Sequence, residues 1–352
     1  MQHIIEAKPE AKRPPVQPAA RPAASVLQVD ENSAGQRLDN FLLRELKGVP
    51  KTHVYRIIRS GEVRVNKGRA QADTRVEIGD LVRLPPVRIS EKVAEKADAM
   101  ANSTAPAREF PILFEDEHLI ALDKPAGVAV HGGSGVSFGV IEQLRRARPQ
   151  AKFLELVHRL DRETSGILLV AKKRSALTQL QDQFRERETG KTYLALVAGF
   201  WPANKKVLDK PLVKFLLAGK SGPDGLADGE RRVKVTSKDD PEGMKSVTLV
   251  KVAQRIPKGQ NSNVEFTLLE VTIKTGRTHQ IRVHLASEGF PIAGDDKYGD
   301  FELNKALQKQ GLKRMYLHAW RLQIVHPATG IQMAFLAPLP EALASYSLPI
   351  AP

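Results

Sequence analysis

Short apolar runs with the composition of β-strands recur along residues 110–343, and their arrangement limits the folds that this region can adopt. The runs are ILFED, HLIALDKP, GILLVAKK, KTYLALVAG, NVEFTLLEVTIK, LHAWRLQIVHP and MAFLAP. Amphipathic stretches between them suit helices, for example SFGVIEQLRRAR, SALTQLQDQFRE and THQIRVHLASEG. Because strand-like runs outnumber helical ones without strict alternation, the pattern predicts an α+β fold with a mixed, mostly antiparallel sheet. Residues 202–243, rich in Pro, Gly, Lys and Asp, are expected to form an insertion or long excursion.

A second, smaller unit is predicted ahead of this sheet, over residues 26–87. Apolar residues at helical spacing indicate two helices, over Arg37–Leu46 and Lys51–Ser60. A strand that leads into a turn at residues 66–68 and a strand pair hinged at Gly79 follow these helices. The unit is therefore expected to be a small α+β domain.

The remaining segments lack the residues that a core requires. Residues 1–25 hold five prolines and no aromatic residue, which predicts a disordered tail. Residues 88–109 mix charges with Ala, Ser and Pro and are expected to be a flexible linker, with a helical stretch at VAEKADAM as the alternative. The larger domain is then expected to cover residues 110–345.

Positive charge predominates in the chain. Lys and Arg number 54 against 40 Asp and Glu, which gives a net charge of +14. Such an excess favours a polyanionic partner, with nucleic acid preferred over an acidic membrane surface. In the smaller unit, Lys51, Arg56 and Arg59 flank the apolar stripe of the second helix, and Lys67 lies in the turn. These four residues are predicted to bind RNA phosphates, the alternative being a basic face acquired by chance.

Several kinds of chemistry are missing from the sequence. There is no cysteine, which excludes disulfides, thiol nucleophiles and Cys-based zinc or iron–sulfur sites. The phosphate-binding, dinucleotide-binding, GxSxG and HExxH motifs are absent as well, so neither a metal site nor a small-molecule cofactor is expected. Without a long apolar run or a signal-peptide pattern, no contact with a membrane and a cytoplasmic location are expected.

The motif HRLDRETSG at residues 158–166 carries the strongest chemical candidate. Asp161 lies between Arg159 and Arg162 and precedes the apolar run ILLVAKK. A carboxylate beside arginines stays ionised at neutral pH, and an oriented carboxylate can act as a nucleophile or a general base. Taken alone, the pattern favours a plainer alternative, in which the aspartate caps a turn and pairs with its neighbours.

Two further side chains are candidates, each with a plainer alternative. Tyr193 of KTYLAL lies on a predicted strand, where it either packs in the core or stacks on a base. Arg282 of GRTHQIRVH lies next to a helical apolar stripe, where it is either solvated or paired with a carboxylate. His279 and His284 lack the spacing of metal ligands and are interpreted as packing or RNA-facing residues. The segment LDKPAGVAVHGG fits a structural turn as well as a substrate loop.

Taken together, the motifs KPAGVAVH, HRLDRETSG, KTYLAL and GRTHQIRVH occur in the order in which the RluA-type RNA pseudouridine synthases carry them, and the chain resembles that family. Residues 35–86 resemble an S4 RNA-binding domain. The family resemblance implies that Asp161 is the catalytic carboxylate and that Arg282 pairs with it. It also implies that Tyr193 stacks on the target base and that Arg159 enters the RNA as this base leaves the helix.

The implied reaction is the isomerisation of uridine to pseudouridine in RNA, without a cofactor. Similarity along the whole chain to members that modify large-subunit (23S) ribosomal RNA implies this RNA as the partner of a monomeric enzyme. Transfer RNA remains an alternative substrate. A non-catalytic ribosome-assembly factor and a hydrolase that releases free uracil are alternative functions. Attack at C1′, attack at C6 and removal of a ribose proton all remain open for Asp161.

Overall fold

The computed structural model of the protein describes residues 24–46, 49–87, 105–132, 138–217, 230–258 and 264–346. The described residues form two compact units, 24–87 and 105–346. The predicted tail lies outside the described residues except for positions 24 and 25, and the predicted linker except for positions 105–109. No helix within these described ranges is long and apolar enough to cross a membrane.

The smaller unit combines two helices with a three-stranded antiparallel sheet. Its elements are β1 (Ser25–Gln28), α1 (Leu38–Glu45), α2 (Lys51–Arg59), β2 (Arg64–Val65) and β3 (Leu81–Leu84). Strand β3 lies between β1 and β2. The apolar stripes that predict the two helices form the core of this unit, through Leu38, Phe41, Leu42, Val54, Ile57 and Ile58.

The strand pair expected around Gly79 is only half present. Strand β3 follows the turn, but its partners are β1 and β2 rather than the residues before Gly79. Val76 pairs instead with the loop before α1, because its N–H donates to the carbonyl of Gln36 (2.9 Å) and its carbonyl accepts from Gly35 (2.7 Å). The backbone of residue 76 is thereby satisfied, and β3 pairs with β1, a strand that the sequence pattern does not predict.

The larger unit contains the elements that the apolar runs predict, together with several that they miss. Its sheet strands are β4 (Ile112–Glu115), β5 (Leu119–Lys124), β6 (Glu155–Leu156), β7 (Ser165–Ala171), β8 (Gly190–Ala198), β9 (Val207–Asp209), β12 (Val247–Ile256), β13 (Phe266–Ile273), β14 (Leu317–Val325) and β15 (Gln332–Leu336). Strands β10 (Leu212–Leu217) and β11 (Glu230–Val235) form a separate hairpin. The helices are α3 (Val140–Ala147), α4 (Arg174–Glu186), α5 (Gln280–Ser287), α6 (Phe301–Lys309) and α7 (Glu341–Ala344).

One ten-stranded sheet organises this unit. Its main path is β4-β5-β7-β14-β8-β13-β12-β9, and β6 and β15 pair with β7 and β14. The pairing of β7 with β14 is parallel, and every other pairing recorded in this sheet is antiparallel. The prediction of an α+β fold with a mixed, mostly antiparallel sheet is confirmed.

Strand β14 joins two halves of the sheet, because it lies between β7 and β8. Leu169 and Leu180 belong to the apolar cluster on the β7 side, whereas Leu268 and Leu285 belong to the cluster on the β8 side. At the junction Gly166 has a φ of +105°, and a Cβ atom there would collide with the carbonyl of Ala319 on β14. Glycine is therefore required where the loop of the HRLDRETSG motif enters the sheet.

The described part of residues 202–243 contains three strands. Strand β9 extends the main sheet by pairing with β12, and β10 pairs with β11 over six residues on each strand. Val233 of β11 is buried against Leu212 and Val283, so this hairpin packs on α5. The hairpin leaves the main sheet, as an excursion would, and apolar positions such as 212 and 233 give it a face that packs on the larger unit.

Candidate active site

A cavity of about 970 Å³ opens in the larger unit, between the loop 158–164, strand β8 and the start of α5. Eight Arg and Lys side chains line this cavity, against three Asp and Glu side chains. Asp161, Tyr193, Arg282 and Arg159 are all among its lining residues. Residues from three motifs that lie far apart in the sequence are therefore brought to one basic cleft, which is suited to a polyanion.

Asp161 lies in the loop between β6 and β7, and its side chain is 29% exposed. The backbone carbonyl of Asp161 accepts a hydrogen bond from the N–H of Thr164 (3.1 Å), which closes a turn. The side-chain carboxylate of Asp161 takes no part in this hydrogen bond. Arg162 does not hold this carboxylate, because its Nε donates to Glu163 Oε1 (2.7 Å). Arg159 is exposed at the cavity wall. The cation next to Asp161 comes from α5 instead.

Arg282 is this cation, and its side chain is only 3% exposed. Its Nη1 lies 3.5 Å from Asp161 Oδ2, which is a long hydrogen bond. Its main partner is Asp295, which accepts from Nε and Nη2 of Arg282 at 2.7 Å each. Motif reasoning found the contact with Asp161 but missed this bidentate pair, because nothing in the sequence around residue 295 distinguishes it from an ordinary turn aspartate.

The buried pair fixes the charge as well as the position of Arg282. Burial alone would lower the pKa of the guanidinium, but the hydrogen bonds and the negative charge of Asp295 outweigh it and raise the pKa. Burial would likewise raise the pKa of Asp295, but the hydrogen bonds from Arg282 lower it. Both groups therefore stay charged, and Arg282 presents a fixed positive charge to Asp161.

Tyr193 lies on β8 and forms part of the cavity wall. Its neighbours in the sheet are Val271 on β13 and Ala319 on β14. The ring packs against two apolar clusters, as the plainer alternative expects, and it also lines the cavity. Burial raises the pKa of the phenol, and the negative charge of Asp161 raises it further. Tyr193 therefore remains a neutral ring beside the carboxylate.

Buried polar contacts place helix α5. Gln280 Nε2 donates to Thr248 Oγ1 (2.9 Å) and to the carbonyl of Val247 (3.0 Å), and its Oε1 accepts from Thr275 (2.7 Å). His284 Nδ1 contacts Thr248 Oγ1 as well, at 2.8 Å. Thr248 thus connects β12 to the helix that carries Arg282, although the sequence pattern around it was too loose to assign it a role. The interpretation of His284 as a packing residue agrees with its complete burial.

His279 immediately precedes α5 and lies close to Asp161. Its backbone has a φ of 52°, a left-handed conformation that is uncommon for residues other than glycine. Nε2 lies 3.9 Å from Asp161 Oδ2, and Nδ1 lies 2.8 Å from the hydroxyl of Tyr298. Burial lowers the pKa of His279, against the opposing effect of Asp161. The imidazole is therefore neutral at neutral pH.

Lys124 supports the loop 158–164 from within the core. Its side chain is fully buried, and Nζ donates to the carbonyls of Pro125 (2.8 Å), Val128 (2.8 Å) and Arg162 (3.0 Å). The last of these contacts ties the segment KPAGV to the residue that follows Asp161. Burial lowers the pKa of Lys124 to about 7. The lysine of this segment therefore anchors the loop of the candidate site, and His131 of the same segment lines the cavity.

Replacing Lys124 with Met is expected to change how the stability of the protein depends on pH. The pKa of about 7 in the folded protein lies below the value of about 10.4 for an exposed lysine. Between these values folding releases the proton, so this group makes the free energy of unfolding rise with pH, by up to about 1.4 kcal/mol per unit. From pH 7 to pH 9, the free energy of unfolding measured in urea should rise by about 2 kcal/mol or more in the wild-type protein relative to the variant. An equal rise in the two proteins would contradict the lowered pKa of Lys124.

The other predicted RNA-binding residues belong to the smaller unit. Lys51, Arg56, Arg59 and Lys67 are all exposed. Lys51 and Arg59 lie two turns apart on α2, with Tyr55 between them on the same face. The face is therefore basic and open to solvent, with an aromatic ring at its centre.

Comparison with known proteins agrees with both units. The RNA pseudouridylate synthase family matches residues 118–287, and the S4 domain family matches residues 36–82. A protein of Yersinia pestis named ribosomal large subunit pseudouridine synthase C is 49% identical over 322 residues, which cover 92% of this chain and 94% of that protein. Its namesake in Escherichia coli K12 is 48% identical over 324 residues, covering 92% and 95% of the two chains.

Solved structures extend the comparison to the fold. The human RNA pseudouridylate synthase domain containing 4 is 27% identical and superposes with a TM-score of 0.51, covering 71% of this chain and 93% of that one. The human RNA pseudouridylate synthase domain containing 1, at 24% identity and a TM-score of 0.52, covers 69% of this chain and 88% of that one and shows the same fold. With the relatives at about 49% identity, these matches establish that the chain belongs to the RluA-type family of RNA pseudouridine synthases, which are isomerases, and that it carries an S4 domain.

Proposed function

We propose that this enzyme converts specific uridines of large-subunit ribosomal RNA to pseudouridine, with Asp161 as the catalytic carboxylate. The names of the relatives at 48–49% identity, which the chain matches over more than nine-tenths of its length, support this substrate. The S4 domain and the net charge of +14 fit a structured RNA. The observation that carries the proposal is the meeting of Asp161, Tyr193 and Arg282 in one basic cavity.

The reaction replaces the carbon–nitrogen bond between ribose and uracil with a carbon–carbon bond. The bond between N1 of uracil and C1′ of ribose breaks, the base turns, and C5 bonds to C1′. The proton on C5 then leaves, and N1 gains a proton, so no group enters or leaves overall. A uracil inside a helix must first swing out, at a cost of a few kcal/mol.

The side chains of the cavity divide this work. Arg159, exposed at the cavity wall, fills the gap that the swung-out base leaves in the RNA. Tyr193 stacks on the uracil, a contact typically worth about 1–3 kcal/mol. Asp161 acts on the sugar or the base, and Arg282, held by Asp295, keeps the carboxylate charged and oriented.

Mapping pseudouridines in ribosomal and transfer RNA from cells with and without this protein tests the substrate. The expected result is the loss of particular pseudouridines from large-subunit RNA alone. Loss from transfer RNA instead would assign a different substrate, and no loss at all would favour an RNA-binding factor. Release of free uracil in a reaction with the purified protein would indicate a hydrolase.

Changing Lys51, Arg56, Arg59 and Lys67 together to Gln is expected to weaken binding to large-subunit RNA and to reduce its dependence on salt. Each lost phosphate contact reduces the magnitude of the slope of log K against log salt concentration by about 0.7–0.9. The loss of four contacts should therefore reduce this magnitude by about 3. Filter binding over a range of salt concentrations measures this slope. Gln at the exposed Lys238, Lys251, Lys305 and Lys309 is the matched control. Equal slopes in the two variants would contradict the predicted RNA-binding face.

A further inference from the structure

A continuous series of contacts connects the β10–β11 hairpin to Asp161. The N–H of Val233 on β11 donates to the hydroxyl oxygen of Tyr298 (3.1 Å). The same hydroxyl lies 2.8 Å from Nδ1 of His279, and Nε2 of His279 lies 3.9 Å from Asp161 Oδ2. Arg232 adds a second contact from the hairpin, to the carbonyl of Lys297 (3.0 Å). The hairpin therefore holds the loop on which His279 depends.

These contacts, together with the Asp161 carboxylate that faces Nε2, favour one tautomer of His279. The Tyr298 oxygen already accepts from Val233, so its own hydrogen is free to point at His279 Nδ1. Nδ1 of the neutral imidazole is then the acceptor, and Nε2 carries the hydrogen. The opposite tautomer would direct a lone pair at the Asp161 carboxylate. The charged groups acting on His279 are Asp161 from the catalytic loop, Arg282 from α5, and Asp295 and Lys297 from the following loop.

Both groups that approach Asp161 approach the same oxygen. Arg282 Nη1 lies 3.5 Å and His279 Nε2 lies 3.9 Å from Oδ2. Within the described part of the chain, Oδ1 has no hydrogen-bond or ion-pair partner. The carboxylate is thus held from one side, and its other oxygen is left for the substrate. At 3.9 Å the histidine is slightly too far for a hydrogen bond, so a small shift of the loop on binding RNA would complete the contact.

We propose that His279 and Tyr298 are positioning residues for Asp161, with the hairpin fixing the tautomer of His279 so that its Nε2–H secures Oδ2 and leaves Oδ1 to react. This inference rests on the proposed role of Asp161. It also gives strand β11 a positioning role, because this strand supplies the backbone N–H of Val233 on which the arrangement depends.

Two substitutions at position 279 separate a positioning role from a structural one. In His279→Gln, the side-chain amide reaches as far as Nε2 does and can still donate to Asp161. In His279→Asn, the amide is too short to do so, although Asn tolerates the left-handed backbone of this position better than Gln. A positioning role therefore predicts that the Gln variant is about tenfold faster than the Asn variant, whereas a purely structural role predicts the reverse order.

Tyr298→Phe tests the contacts of the Tyr298 hydroxyl with Val233 and His279. The ring and its packing near Val233 and Val283 are kept, and only the hydroxyl is lost. We expect the single-turnover rate to fall about tenfold, with the Kd for RNA within about twofold of the wild-type value. In ¹⁵N spectra of imidazole-labelled protein, the wild-type His279 should show an unprotonated Nδ1 and a protonated Nε2 at neutral pH, and the variant should show a mixture of tautomers.

The assays use full-length protein and large-subunit RNA carrying tritium at C5 of uridine, so that each turnover releases tritium. The Asn variant matching or exceeding the Gln variant would overturn the inference. An unchanged rate in Tyr298→Phe would also overturn it, and so would a wild-type His279 that is protonated on Nδ1. Asp161→Asn is measured alongside: if that variant stays active, the proposed function fails, whereas an inactive Asp161→Asn together with any of these results refutes the positioning role alone.

Discussion

Replacing Asp161 with Asn is expected to reduce the formation of pseudouridine by about 10⁴-fold or more, which corresponds to roughly 5.5 kcal/mol of lost transition-state stabilisation. The substitution preserves the shape of the side chain and removes the negative charge that Arg282 faces. RNA binding should change by no more than about threefold, because the cavity offers eight cationic side chains to the phosphates.

Tritium release from uridine-labelled large-subunit RNA measures this loss, and filter binding measures the affinity. The matched control is Glu163→Gln, two residues away in the same loop, where a carboxylate of similar exposure pairs with Arg162 instead of facing Arg282. Turnover by the Asp161 variant within about 100-fold of the wild-type rate would remove this residue from the mechanism.

Removing the carboxylate of Asp295 is expected to destabilise the fold and to impair catalysis together. In Asp295→Ala the guanidinium of Arg282 loses two hydrogen bonds of 2.7 Å in a site where it is 3% exposed. Breaking a buried ion pair from one side typically costs about 3–5 kcal/mol, because the remaining charge is left without compensation. The N–H groups of Lys297 and Tyr298 lose their acceptor as well.

The neighbouring residue provides the matched control for this prediction. Asp296 also contacts Nη2 of Arg282, at 3.3 Å, but its side chain is 60% exposed. Asp296→Ala should therefore change the free energy of unfolding by about 1 kcal/mol or less. Urea unfolding of both variants measures the difference, and equal losses would show that burial of the pair does not determine its contribution.

The spacing of apolar residues predicted the fold class. The strands that this prediction missed depend on contacts between distant parts of the chain, which spacing does not reveal. Runs such as GILLVAKK became fully buried central strands, which have the strongest signal. Strand β9 was missed because it is short and gains its stability by pairing with β12 at the sheet edge. The hairpin β10–β11 was missed because its surroundings are rich in Pro, Gly, Lys and Asp, although Leu212 and Val233 bury apolar area.

At the site, motif resemblance selected the residues that line the cavity, but it could not show what holds them. The contact between Arg282 and Asp161 joins residues 121 positions apart. Asp295 and Tyr298 became visible only when folding placed their loop against α5, since an aspartate and a tyrosine near glycines have no distinctive pattern. Their roles in catalysis remain proposals that the variants above test.

The position of β14 between β7 and β8 has a consequence for how activity arises during synthesis of the protein. Asp161 belongs to the loop leading into β7, whereas Tyr193 lies on β8, and the two strands are joined through a segment more than a hundred residues later in the chain. Pairings of such long range form slowly, because the intervening chain must be ordered first. A nascent chain that ends before residue 317 therefore lacks the strand that joins the proposed catalytic residues Asp161 and Tyr193.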